Sequence, residues 1–238
     1  MKKLQIELAN FPQSTILDIG TGYGSFIEIL TKNFNDYREI IGIDTSQTAI
    51  DAAKNHFKDY ERIKFIKSDA FTMHFENETF DIITLSNSLH HLHNLPTLFD
   101  QMRRVLKKDG IVIVNEMLSD PLTLPQISHR LIHHFAAEID REKGIIHDET
   151  FTESDILNLL NKTCFKIKDH WPINNESEDL SVSFDTSWVH GTLDQMLKRI
   201  QNSAQIEYYT NQANLIKNHV SQHGFSSATQ MLFILQPK

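Results

Sequence analysis

Ile16-Leu17-Asp18-Ile19-Gly20-Thr21-Gly22-Tyr23-Gly24-Ser25-Phe26 reads as a buried strand that runs into a glycine loop and then opens a helix. A loop of small residues after a parallel strand lets backbone N–H groups approach a ligand closely, and glycine accepts the backbone angles such a turn requires. The segment is therefore a nucleotide-cofactor loop. Asp18 chooses between cofactors. At the carboxyl end of its strand it would face a dinucleotide pyrophosphate with like charge and little screening, so a cationic ligand fits better. Spacing agrees, because glycines at 20, 22 and 24 give G-x-G-x-G, whereas the dinucleotide fingerprint needs Gly or Ala where this chain has Ser25.

The segment Asp18-Ile19-Gly20-Thr21-Gly22-Tyr23-Gly24 resembles the first motif of the class I S-adenosylmethionine-dependent methyltransferases, of the type acting on small molecules. The resemblance covers roughly the first half of the chain, with a weaker match near the end. It implies a Rossmann-like, doubly wound α/β fold with seven strands, mostly parallel and with the last strand antiparallel. It also implies S-adenosylmethionine as cofactor and S-adenosylhomocysteine as product.

Apolar strand candidates recur downstream with helical patterns between them: 15–19, 40–43, 64–67, 82–85 and 111–115. Such alternation predicts a parallel sheet by itself. The helix after the glycine loop is carried by Phe26, Ile29 and Leu30, and the next by Ala49, Ile50 and Ala53 behind the cap Ser46. A third is expected from Pro96 to Lys107, stopping at Asp109-Gly110, with Arg103, Arg104, Lys107 and Lys108 as a solvated face complementing the helix dipole. Beyond it, a helix at 126–140, another at 153–161, a strand at 165–171, two helical patterns at 193–200 and 206–220 and a strand at 229–235 are expected. The chain reads as a single domain over 1–238, in which 118–150 and 172–226 are helical insertions. Because the first motif begins so near the start, an amino-terminal helical cap is not expected and the insertions are assigned as the lid.

Several acids and histidines fall at strand ends, where open α/β sheets bind ligands. Asp44, with Thr45 after it, closes Ile41-Gly42-Ile43 and is placed to accept both hydroxyls of a ribose. Asp69 and Ala70 resemble the family's third-strand site for adenine, the acid taking the amino group and the next backbone N–H a ring nitrogen. Together with Asp18, Gly20, Thr21, Gly22, Gly24 and Asn87 these are the expected cofactor-binding residues. The segment Ser86-Asn87-Ser88-Leu89-His90-His91-Leu92-His93 resembles the L-H-H-L stretch of small-molecule members, which implies Asn87 and His91 along the methionine portion and the methyl-transfer mouth. His90 and His93 are read as capping or solvated residues.

Methyl transfer needs an electron-rich atom held in line with an activated methyl group, and a general base only for a protonated acceptor. His91 and His133 are the catalytic candidates. Thirteen histidines are many for 238 residues, and they gather at 90, 91 and 93 and at 129, 133 and 134. On a helix over 126–140, Ile127, Leu131, Phe135 and Ile139 would form the buried stripe and His129, His133 and Asp140 the opposite one. Glu116 or His147 are the residues to complete a metal site there, but without an H-E-x-x-H motif or cysteine ligands no metal site is assigned.

A net charge of −8, from 23 basic and 31 acidic residues, leaves no basic footprint for nucleic acid. The expected partner is a small-molecule acceptor, with no nucleic acid and no membrane. An RNA or protein methyltransferase and a non-catalytic S-adenosylmethionine-binding protein are the alternatives. Cys164 is the single cysteine, so no intrachain disulfide can form. The amino-terminal residues lack the apolar core of a secretory signal, and a cytoplasmic location is expected.

Overall fold

The structure, a computed structural model, describes residues 1–173, 182–183 and 185–238. Seven strands form one sheet: β1 (Ser14–Ile19), β2 (Tyr37–Asp44), β3 (Ile63–Lys67), β4 (Phe80–Ser86), β5 (Leu106–Met117), β6 (Phe165–Ile173) and β7 (Gln230–Pro237). Their order is β3-β2-β1-β4-β5-β7-β6. β1 to β5 pair in parallel, and β7 is antiparallel to both β5 and β6. The chain reverses its direction of travel across the sheet between β3 and β4, so the carboxyl ends of β1 and β4 flank the switch point where such sheets bind ligands.

Helices cover both faces. On one side α2 (Ser25–Asn33) and α3 (Gln47–His56) bury Phe26, Ile27, Leu30, Ile50 and Ala53 against Ile16, Ile40 and Ile82. On the other α4 (Leu95–Val105) and α6 (Glu153–Asn161) bury Leu98, Phe99, Met102, Ile156 and Leu160 against Leu17, Ile83 and Val112. The Ser46 hydroxyl accepts from the Ala49 N–H at 3.2 Å, which satisfies an otherwise orphaned donor of α3. A short helix not expected from the sequence, α1 (Lys2–Leu8), buries Leu4 and Leu8 on the α2 side.

The third helix ends earlier than its polar tail suggests. α4 stops at Val105, and Leu106 already pairs with Phe80 at the start of β5. The basic residues are engaged rather than merely solvated. Lys107 meets Asp81 at 2.7 Å, and the Arg104 guanidinium donates to the carbonyls of Phe75 and Met73 at 2.6 and 2.7 Å.

The insertion helices build a separate cluster beyond these three layers. α5 (Leu124–Glu142), α7 (Ser187–Arg199) and α8 (Ile206–His223) share an apolar cluster of Ile132, Phe135, Ile139, Val189, Leu193, Tyr209, Ala213 and Val220. The expected stripe on α5 holds at Phe135 and Ile139, which are buried, but not in the first turns, where Ile127 and Leu131 are only half-buried and Ser128 and Ile132 are buried instead. α5 is packed on two sides, against α7 and α8 and against the sheet end, so one apolar stripe does not describe it. Residues 174–181 and 184 of the expected insertion 172–226 lie outside the described residues. No described helix is long and apolar enough to cross a membrane.

Candidate active site

The glycine loop turns because three residues take left-handed backbone angles: Gly20 (φ 66°), Gly22 (φ 52°) and Gly24 (φ 87°). At Gly20 a side chain would also collide, since a Cβ there would lie 2.5 Å from Ser88 Oγ. The loop is tied to β2 by the Thr21 N–H, which donates to the Ile43 carbonyl at 2.9 Å, and by the Gly22 N–H, which donates to Asp44 Oδ2 at 2.9 Å. Asp44 Oδ1 accepts from the Ser46 N–H at 2.8 Å. The carboxylate is therefore fixed at the strand tip and retains lone pairs directed elsewhere.

A cavity of about 480 Å³ opens beside this loop, and among its walls are Gly20, Gly22, Asp44, Thr45, Asp69, Ala70, Asn87 and His91. No lysine or arginine is among the lining residues. Seven of the expected cofactor residues thus meet in one place, from the ends of four different strands. Asp69 holds its position by accepting from the Phe71 N–H at 2.9 Å. Asn87 takes a left-handed conformation (φ 46°), and its Oδ1 accepts from the Met117 N–H at 3.0 Å.

Asp18, Thr21 and Gly24 do not line the cavity. Gly24 caps the amino end of α2. Asp18 is 1% exposed beneath the loop, where its Oδ1 accepts from the Thr84 hydroxyl at 2.6 Å. Its Oδ2 and the Thr21 Oγ1 are buried with no hydrogen-bond partner among the described residues. Burial pushes the Asp18 carboxyl up to about 6, the Thr84 hydroxyl offsetting part of the rise.

A second constellation adjoins the cavity. Glu116, fully buried on β5, accepts from the backbone N–H groups of Ser88 and Leu89, both at 2.8 Å, and lies 3.1 Å from His90 Nδ1. His90 Nε2 is 3.1 Å from His133 Nε2, which is 3.5 Å from His147 Nε2. On its other side His147 Nδ1 lies 2.8 Å from Asp140 Oδ2, and Asp140 also holds Arg199. His91 covers this cluster, its ring 4.0 Å from that of His147 and 4.4 Å from that of His90.

Both catalytic candidates have lowered pKa values. His91 falls to about 4, because packing strips water from the ring and the neighbouring His90 and His147 oppose a further positive charge. His133 falls to about 3 for the same reasons, burial first. Both are neutral at neutral pH.

His133 does not line the cavity; it points to His90 and His147. His129 is not with them: its Nδ1 accepts from the Ala228 N–H at 3.0 Å, tying α5 to the chain before β7. His90, read from sequence as a cap or solvated residue, is instead 1% exposed at the centre of the cluster. Its signal was an acid, Glu116, at the end of the strand neighbouring its own, which sequence separation conceals. From the insertions, Ile145 and Ile146 reach the cavity wall, anchored by the Asp148 N–H, which donates to the His90 carbonyl at 2.7 Å. None of the described residues of 172–226 lines it.

Comparisons with known proteins point the same way. A methyltransferase-domain family matches residues 17–114, the part that carries β1 to most of β5. A demethylmenaquinone methyltransferase of Staphylococcus aureus is 32% identical over 109 residues, 46% of this chain and 44% of that protein. The chain thus matches less than half the length of that relative. Among solved structures, a putative methyltransferase from Bacillus halodurans superposes with a TM-score of 0.64 at 16% identity, covering 99% of this chain and 98% of the other. The YcgJ protein of Bacillus subtilis gives 0.57 at 19% identity, with 99% and 97% covered. At such identities these structures speak for the fold alone. The strand order, the glycine loop and these superpositions show that the chain has the Rossmann-like fold of the class I S-adenosylmethionine-dependent methyltransferases, and its residues 17–114 match a methyltransferase domain.

Proposed function

We propose that this protein transfers a methyl group from S-adenosylmethionine to an O, N or C atom of a small-molecule acceptor. The observation that carries the reading is the cavity itself, which gathers Asp44, Asp69, Asn87 and His91 around an open glycine loop and has no lysine or arginine among the described residues of its wall. Two acids and no cation suit a positively charged adenosyl cofactor and disfavour a pyrophosphate. The residues fit the cofactor by a further test: at Gly22 nothing lies within 4 Å of where a Cβ would stand, which leaves its backbone open to close approach.

In this reading Asp44 accepts the ribose hydroxyls, Asp69 and the Ala70 N–H take the adenine edge, and Asn87 and His91 flank the methionine portion. Asp18 acts from below the loop, its buried charge favouring a cation above it. S-adenosylmethionine supplies the electrophilic methyl group. The chain's own contribution is to orient the acceptor, exclude water with Ile145 and Ile146, and take a proton at an imidazole nitrogen of His91 where the acceptor arrives protonated.

A small-molecule acceptor is supported by the absence of a basic footprint in a chain of net charge −8, and by the demethylmenaquinone named for the matched relative. That match spans 109 residues, less than half of either chain, so the acceptor is not carried over. Transfer of labelled methyl from S-adenosylmethionine to the separated small-molecule, RNA and protein fractions of a cell extract tests the reading. Label in the small-molecule fraction is expected. Label confined to RNA or protein, or in no fraction, contradicts it.

A further inference from the structure

The histidine cluster is not needed to hold an adenosyl cofactor, and its members come from three separate places. His90 lies on the turn after β4, His133 on α5 and His147 on the segment after α5. Their ring nitrogens converge within 4.8 Å of one another, with His90 and His147 buried and His133 half-buried.

The outer nitrogens decide what the inner ones can do. His90 Nδ1 faces the Glu116 carboxylate and His147 Nδ1 faces that of Asp140, at 3.1 and 2.8 Å. An ionised carboxylate only accepts, so each Nδ1 carries its proton there, and in a neutral ring the Nε2 presents a bare lone pair. Both lone pairs are directed at His133 Nε2, which has at most one hydrogen to give. Two acceptors around one donor leave the cluster unsatisfied, whereas a cation at its centre satisfies all three nitrogens. The carboxylate-histidine pairing is also the arrangement that fixes tautomer and ring orientation in metal-ligating histidines.

Distances are compatible. Ligands about 2.0–2.1 Å from a tetrahedral zinc stand roughly 3.3 Å apart, close to the 3.1 and 3.5 Å separating His133 Nε2 from the other two. Charge is compatible too. Glu116 and Asp140 bring two negative charges to the cluster and Arg199 returns one positive charge on the Asp140 side, leaving the buried Glu116 without a lysine or arginine partner among the described residues.

We propose that His90, His133 and His147, through their Nε2 atoms, bind one first-row divalent cation of the zinc class. Imidazole donors select that class over magnesium or calcium. Three protein ligands leave a coordination position open, the donor count of sites that take a water or substrate oxygen rather than of closed structural sites. Because His91 and Ile146, the chain neighbours of two ligands, line the cofactor cavity, the ion stands next to that cavity. Joining β4, α5 and the segment beyond it, the ion also pins the insertion to the sheet. The proposal does not depend on methyl transfer.

The test is titration of the chelator-treated full-length protein with zinc and, separately, cobalt. We expect one equivalent of either, a rise in melting temperature with zinc, and visible absorption of the intensity typical of low-coordinate cobalt. His133→Ala and, independently, His147→Ala should lose the stoichiometric site and the cobalt spectrum. Circular dichroism reports whether each variant is folded, and His129→Ala, one turn away on α5, should keep the site. Absence of stoichiometric binding in the wild-type protein overturns the proposal. So does undiminished binding in both folded ligand variants, which would locate the ion on other histidines. Should both ligand variants fail to fold, the wild-type cobalt spectrum alone decides: a spectrum of octahedral, oxygen-ligated intensity overturns the site.

Discussion

The Gly22 N–H donates to Asp44 Oδ2 at 2.9 Å, so the glycine loop and the acid at the tip of β2 are joined directly. The relationship makes Asp44 the anchor of the loop, in addition to the ribose-binding role proposed for it. Asp44→Ala is therefore expected to weaken S-adenosylmethionine binding by about 1–3 kcal/mol, through unpaired ribose hydroxyls and a loosened loop. Isothermal titration of both proteins checks this, and equal affinities would remove Asp44 from the site.

The loop glycines should not be equivalent. Gly20→Ala meets both a positive φ and Ser88, whose hydroxyl is held by the Ser86 carbonyl at 2.9 Å. Gly22→Ala meets the positive φ alone. Denaturant unfolding should show a loss of about 1 kcal/mol for Gly22→Ala and a larger one for Gly20→Ala. The reverse order would contradict the packing described for Ser88.

Asp18 predicts a pH dependence of defined sign. Its carboxyl is raised from 3.8 to about 6 in the folded protein, so the folded state binds the proton more tightly than the unfolded chain. Its contribution is most favourable below about 4 and is lost as pH rises through about 6, reaching a cost of about 3 kcal/mol at neutral pH by linkage. Asp18→Asn should match the wild type in stability near pH 4 and exceed it at pH 7, while binding the cationic cofactor less well. A stability difference independent of pH would refute the assignment.

His91 makes a kinetic prediction. With its pKa near 4 when His90 and His147 carry no cation, it is already neutral at pH 6, so turnover of the chelator-treated enzyme should show no limb near the ordinary histidine value of 6.5 and should fall only toward pH 4. A turnover limb at 6 to 7 that disappears in His91→Ala would contradict the packing of His91 on His90 and His147.

Some features could be read from the chain and others could not, for identifiable reasons. The glycine loop, the acid closing β2, the acid just after β3 and the Ser46 cap are local: a few consecutive residues specify each, and the structure forms each of these features at those residues. The boundary between α4 and β5 was misjudged because Lys107 to Asp109 looks like a polar helix end, and only pairing with the Phe80 and Asp81 end of β4 makes it strand. The roles of His90 and Glu116 were illegible for the same physical reason. Their contact spans 26 positions and exists because β4 and β5 are neighbours in the sheet, with Glu116 under the turn that follows β4. On α5 the stripe is legible at Phe135 and Ile139 but not at Ile127 and Leu131, because a helix buried on two sides has no single apolar stripe.

The insertion segment at 143–152 should respond to ligand. Ile145 and Ile146 line the cavity yet are 47% and 46% exposed, as expected of apolar residues that close over a bound molecule. Hydrogen exchange should slow there when S-adenosylhomocysteine is added. Unchanged exchange in that segment would remove its role as a cover.

Whether the cavity at the ends of β1, β2, β3 and β4 takes S-adenosylmethionine is decided by a thermal-shift titration. S-adenosylmethionine and S-adenosylhomocysteine should each raise the melting temperature in a concentration-dependent way, and NAD should not. No shift with either adenosyl compound, or a larger shift with NAD, would contradict the account.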